Sequence, residues 1–153
     1  MATKLTQRLL LATAALCSLS AEAAPDRAPD DAPRISITIG AQRITATLEN
    51  NAAARAFARR LPVQTTLEDF NRGTEKIYYP DKRLGAEGEP SGCAPRPGDI
   101  VIYVPWGSVA IFCKPWHHSK DLLRIGRIDA DGIRALQRPG DINVSIKALP
   151  PHP

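Results

Sequence analysis

The sequence predicts a mainly β domain, a closed eight-stranded β-barrel with two short capping helices. Three observations predict it. Apolar residues recur as short, alternating, β-branched runs, the period of a strand with one buried face. The stretch from Gly98 to Ile128 holds both tryptophans and two runs, Ile100 to Val104 and Ser108 to Cys113, that are apolar on nearly every residue. Such strands need cover on both faces, as in a closed or sandwiched sheet. Finally, the 14 prolines gather at the ends and in turns, which favours short strands joined by loops over long helices.

The chain has 153 residues and a formal net charge of +4, the size of one ordinary domain. Lys4 and Arg8 precede an apolar run from Leu9 to Leu19, and Ala21 and Ala23 sit where a signal peptidase reads small residues. Residues 1–23 therefore read as a signal peptide, which predicts a periplasmic or secreted protein. The apolar run is too short to span a bilayer, so no membrane association is expected once it is removed. Lipidation at Cys17 is disfavoured by Leu16, where a small residue is needed. Removing Lys4, Arg8 and Glu22 leaves 18 basic against 15 acidic residues. With no basic stripe interleaved with aromatics, nothing calls for nucleic acid.

Residues 24–33 are Ala, Pro and Asp with one Arg and should form a flexible leader to a domain spanning 34–149. Ile35, Ile37 and Ile39 alternate with polar residues, Gly40 and Ala41 turn the chain, and Ile44, Ala46 and Leu48 alternate again, giving a first hairpin. Asn50 or Asn51 can cap an Ala-rich helix that ends before Pro62. In it Phe57 and Leu61 share a face with Ala53 and Ala54 and would plug one end of the barrel, leaving Arg55, Arg59 and Arg60 in solvent.

Val63 to Phe70 and Thr74 to Tyr79 are two strands joined by Asn71, Arg72 and Gly73. Residues 80–97 form a long loop, a length that in compact domains often lines a site. The central hairpin turns at Pro105, Trp106 and Gly107. Leu122 to Asp129 is a seventh strand, Asp131 to Gln137 a short helix, and Ile142 to Ala148 the eighth strand, before a tail at 150–153.

Gly73-Thr74-Glu75-Lys76-Ile77, Glu87-Gly88-Glu89-Pro90, Pro97-Gly98-Asp99-Ile100, Val104-Pro105-Trp106-Gly107, Ala110-Ile111-Phe112 and Leu123-Arg124-Ile125-Gly126-Arg127-Ile128-Asp129 occur in this order, followed by Gly132-Ile133. Together they resemble the bacterial cyclophilin-like domain family over about residues 34–149. The resemblance implies a closed eight-stranded barrel with helices covering its ends. It also suggests prolyl isomerisation, in which an apolar floor desolvates the X-Pro bond and an Arg donates to the imide nitrogen. The Phe-His-Arg and Gly-Gly-Asp runs of true cyclophilins are absent, and no spacing marks Arg72, Arg83, Arg124 or Arg127 as catalytic. No catalytic residue is assigned.

Cleavage of the signal peptide would leave Cys93 and Cys113, an even count that in an oxidising compartment favours one disulfide. The family pattern more often has tyrosine at both positions, and their joint replacement adds weight to a bridge. With no CxxC pair and no ligand cluster, redox catalysis and structural zinc are disfavoured. His117 and His118 are adjacent and point apart, and His152 lies in the tail, so no metal or other cofactor is expected. Ser91 and Ser108 lack a nucleophile elbow.

The expectation is a monomeric binding module holding a small molecule or short peptide in a shallow site lined by Phe70, Tyr79, Glu87, Trp106 and Phe112. Glu75, Glu87 and Glu89 could line a polar pocket or pair as acid and base, their plainer reading being solvated charge, as that of Trp106 is a packed turn. The alternatives are a prolyl isomerase with a replaced catalytic set and an adaptor that docks to a partner protein.

Overall fold

The computed structural model describes residues 32–90 and 92–151. The expected signal peptide, Cys17, most of the expected leader, Ser91 and His152 lie outside the described residues. The strands are β1 (Arg34–Ile39), β2 (Gln42–Leu48), β3 (Val63–Phe70), β4 (Glu75–Tyr78), β5 (Asp99–Tyr103), β6 (Ser108–Phe112), β7 (Leu122–Ile128) and β8 (Ile142–Ala148). They close into a barrel in the order β1-β2-β7-β5-β6-β4-β3-β8, each pair antiparallel.

Alternation along the strands divides the apolar residues between two sides of the wall. Ile35, Ile37, Ile44, Ala46, Ile100, Ile102, Val109, Ile111, Ile125 and Ile146 are among those that fill the interior. Helix α1 (Ala52–Ala58) closes one end by burying Ala53, Ala54 and Phe57. Asn51 caps it, its side-chain oxygen accepting from the Ala54 amide at 2.8 Å. At the opposite end stands a 3₁₀ turn, Ala130–Ala135, followed by the fully buried Leu136. This second helix was expected from the spacing of Ile133 and Leu136; its tighter 3₁₀ form suits so short a segment.

Lys76 lies within the wall at 0% exposure. Its ammonium donates to Asp69 Oδ1 at 2.9 Å and to the carbonyls of Arg138 and Gly140, both at 2.7 Å. Three donors meet three acceptors, which makes this burial tolerable.

The expected disulfide is not formed: Cys93 and Cys113 are both free thiols. The barrel wall separates them. Cys113 packs in the interior, with Sγ 3.6 Å from the Leu136 carbonyl, whereas Cys93 packs against a second apolar cluster on the other side. Their side chains therefore do not face each other, and a bridge would need backbone movement.

Candidate functional site

The second cluster comprises Ile77, Val101, Ala110, Phe112 and Leu122, with Tyr103, Cys93 and Trp116 packed against it. These residues alternate with the interior set on β4, β5, β6 and β7, so they lie on the barrel's outer wall. That answers the sequence observation that both runs of the central hairpin are apolar throughout. The long loop and the β6–β7 connection cover part of this face. Cys93 exchanges backbone hydrogen bonds with Ser119, and the Trp116 amide donates to the Pro95 carbonyl at 2.9 Å.

What remains uncovered is a cavity of about 300 Å³ lined by Phe70, Asn71, Glu75, Ile77, Tyr103, Trp106, Ser108, Ala110, Phe112, Trp116, Ser119 and Leu122. Five of the chain's eight aromatic residues (3 Phe, 3 Tyr, 2 Trp) converge here, including both tryptophans. Phe112 and Ala110 form floor; Phe70 and Trp106 stand at the rim, 46% and 57% exposed. The Trp106 ring meets Tyr103 edge-to-face, with centroids 5.3 Å apart, an orientation favoured by the ring quadrupoles.

Two segments place the Trp106 rim. Residues 104–107 form the β5–β6 turn, in which the Gly107 and Trp106 amides donate to the Tyr103 carbonyl at 2.8 and 3.1 Å. Gly107, with φ +65°, presses against the long loop: a Cβ there would fall 2.8 Å from Leu84 N and 2.7 Å from Arg83 Cβ. Arg83 in turn donates to the Val104 and Pro105 carbonyls, holding the turn from outside.

The polar complement of the cavity is small. Glu75 is half-buried and directly opposite Phe70 on β3 and Phe112 on β6. Burial alone pushes its carboxyl up from the ordinary value, and its side chain has no hydrogen bond or ion pair among the described residues. Ser108, buried in the floor, also has a hydroxyl free of hydrogen bonds among them.

Of the five residues expected to line a site, Phe70, Trp106 and Phe112 come together. Tyr79 and Glu87 do not. Tyr79 lies just beyond the end of β4 and outside the cavity, while Glu87 folds back over Gly85 beside a separate groove with Arg83, Leu84 and Val104. Sequence reasoning did not bring in Tyr103 or Trp116; Glu75, weighed there as a carboxylate that could line a polar pocket, is among the lining residues. The outward parity of Tyr103 and Glu75 on their strands was the available signal.

The four arginines weighed for isomerisation are not among the cavity's lining residues. Arg124 pairs with Glu49 at 2.8 Å, Arg127 pairs with Asp99, Arg83 holds the turn, and Arg72 belongs to the β3–β4 turn. Among the described residues no group of three or more His, Cys, Asp or Glu is placed to hold a metal ion.

A closed antiparallel barrel with capped ends, carrying its accessible apolar cavity on the outer wall, defines the class of protein. Its family follows from comparison: residues 37–147 match the model of the cyclophilin-like family, and the chain belongs to that family. It is also similar to the solution structure of a hypothetical protein from Archaeoglobus fulgidus, at 17% identity and TM-score 0.59, over 76% of this chain and 94% of that one. That likeness is one of fold. No curated protein matches the chain.

Proposed function

We propose that this protein is a binding module whose outer-wall cavity takes a small molecule or a short peptide segment. The reading rests on one observation, the convergence of five aromatic side chains on a single concave site that the covering loops leave open. Ligand sites are typically concave and apolar, with few, well-placed polar groups, and this cavity has that composition. An exposed tryptophan and an exposed phenylalanine on the rim of one cavity are costly for an unliganded surface and useful for a ligand. The protein acts as a monomer in the periplasm or outside the cell, a placement supported by the charged, then apolar, then small-residue pattern of residues 1–23.

The test is a screen of neutral and charged fragments and short peptides against the intact chain, read by tryptophan fluorescence with Trp106→Ala as the control. Saturable changes that W106A weakens or abolishes support the reading. A library that leaves both tryptophans unperturbed overturns it.

A further inference from the structure

We infer that the outer-wall cavity selects a cationic group, an alkylammonium or guanidinium, held against aromatic faces with Glu75 as its counter-charge. This deepens the binding-module reading above and rests on it.

The argument begins with register. Glu75 is set between two phenylalanines, across from Phe70 on one side and Phe112 on the other, and cross-strand neighbours lie about 5 Å apart at Cβ. The outer face of a strand in a solvated sheet readily accommodates a carboxylate, but this one is flanked by rings and lines a cavity with Tyr103, Trp106 and Trp116. Among the described residues no cation pairs with it. Lys76 faces the interior and is engaged by Asp69, and Lys114 donates to the Arg72 carbonyl at 2.7 Å.

A second carboxylate strengthens the field. Glu68 is opposite Ile77 in the β3–β4 ladder, so it shares the outer face with Glu75, and both charges raise the proton affinity of Tyr79 after the larger effect of burial. A chain with net charge +4 thus presents an aromatic-lined cavity with one carboxylate in its wall and a second on the same face. Aromatic faces attract cations through the ring quadrupole, and a partly desolvated carboxylate adds direct attraction. A neutral apolar guest would leave the Glu75 charge desolvated further; an anion would be repelled. A cation satisfies both components of the site.

The same chemistry can arrive on a free small molecule or on a basic side chain of a peptide, and matched probes separate the two. Choline and its uncharged isostere 3,3-dimethyl-1-butanol form one pair; the acetyl N-methylamides of lysine and norleucine form the other. Binding to the intact chain is followed by tryptophan fluorescence and by the amide shifts of residues 70–77 and 103–112. The expected result is that the charged member of at least one pair binds about tenfold or more tightly than its neutral partner. Which pair shows the larger ratio identifies the source.

Glu75→Gln should bring the two affinities of a pair together, and Glu75→Asp should retain part of the preference. Equal affinities in the unaltered protein overturn the cation inference while leaving the cavity as a binding site. Silence of all four probes also overturns it, and the fragment screen then decides the binding-module reading by itself.

Discussion

Glu75 lies directly across the β4–β6 ladder from Phe112, a half-buried carboxylate opposite a phenylalanine that is 1% exposed. A pairing of this kind costs the isolated fold. Burial makes the folded chain hold the Glu75 proton more tightly than the unfolded chain does, so its folded pKa is raised. For a carboxyl raised in this way, stability falls as pH rises from the unfolded value through the folded one.

Glu75→Gln should therefore stabilise the protein at neutral pH, and the gain should shrink as pH is lowered into the carboxylate range. Urea melts of both proteins between pH 4 and pH 8 measure this. The titratable groups that feel its charge are Tyr79 and Cys113, and Glu68 shares its face of the sheet. A variant that is more stable yet less selective for cations would be the signature of a residue kept for binding.

Asp129 has the opposite sign. Burial pushes its carboxyl up, but hydrogen bonds from Arg34 (2.9 Å), Thr45 (2.7 Å) and Thr47 (2.8 Å), with the Arg34 charge, outweigh it and leave the carboxyl below its ordinary value. Its contribution is present above the unfolded pKa and lost as pH falls through the depressed one. Asp129→Ala should cost about 1–3 kcal/mol at neutral pH and progressively less in acid, as seen by the same melts.

Lys76→Met should be among the more damaging single changes in the barrel. It leaves Asp69 and the carbonyls of Arg138 and Gly140 without the ammonium they share. A loss of about 3 kcal/mol or more in denaturant unfolding is expected.

Cys93 and Cys113 should both be recovered as thiols, unpaired with each other, when the folded protein is denatured under alkylating conditions and mapped without reductant. In the native protein Cys113 should resist alkylation: burial pushes its thiol up to about 11, and it packs inside the barrel. Rapid modification of Cys113 at neutral pH, or a Cys93–Cys113 peptide, would contradict the side assignments of the wall.

The barrel was legible because each strand carries its own period-two signal, as in Ile35, Ile37 and Ile39, and its turns carry Gly and Pro. The cavity was legible only in part. Phe70, Trp106 and Phe112 stand out locally, but the meeting of Glu75 with Phe112 depends on which strands become neighbours and in what register. No local pattern encodes that. Trp116 joins the site because its amide is fastened to Pro95, a contact between two loops 21 positions apart. Glu87 stands apart from the cavity for the same reason: the long loop tucks Leu84 into the core and turns Glu87 to another surface. The cysteine pairing failed on parity, since residues on opposite sides of one wall cannot be inferred from an even count.

The central claim is that recognition occurs on the outer wall between β3 and β7. Amide chemical-shift mapping of the intact chain during titration with fragments and short peptides tests it most directly. The account predicts that the largest shifts centre on Phe70, Glu75, Tyr103, Trp106, Phe112 and Trp116. Shifts centred instead on the groove of Arg96, Arg124 and Arg127, or on the polar face of Gln64, Asn143 and Ser145, would contradict it.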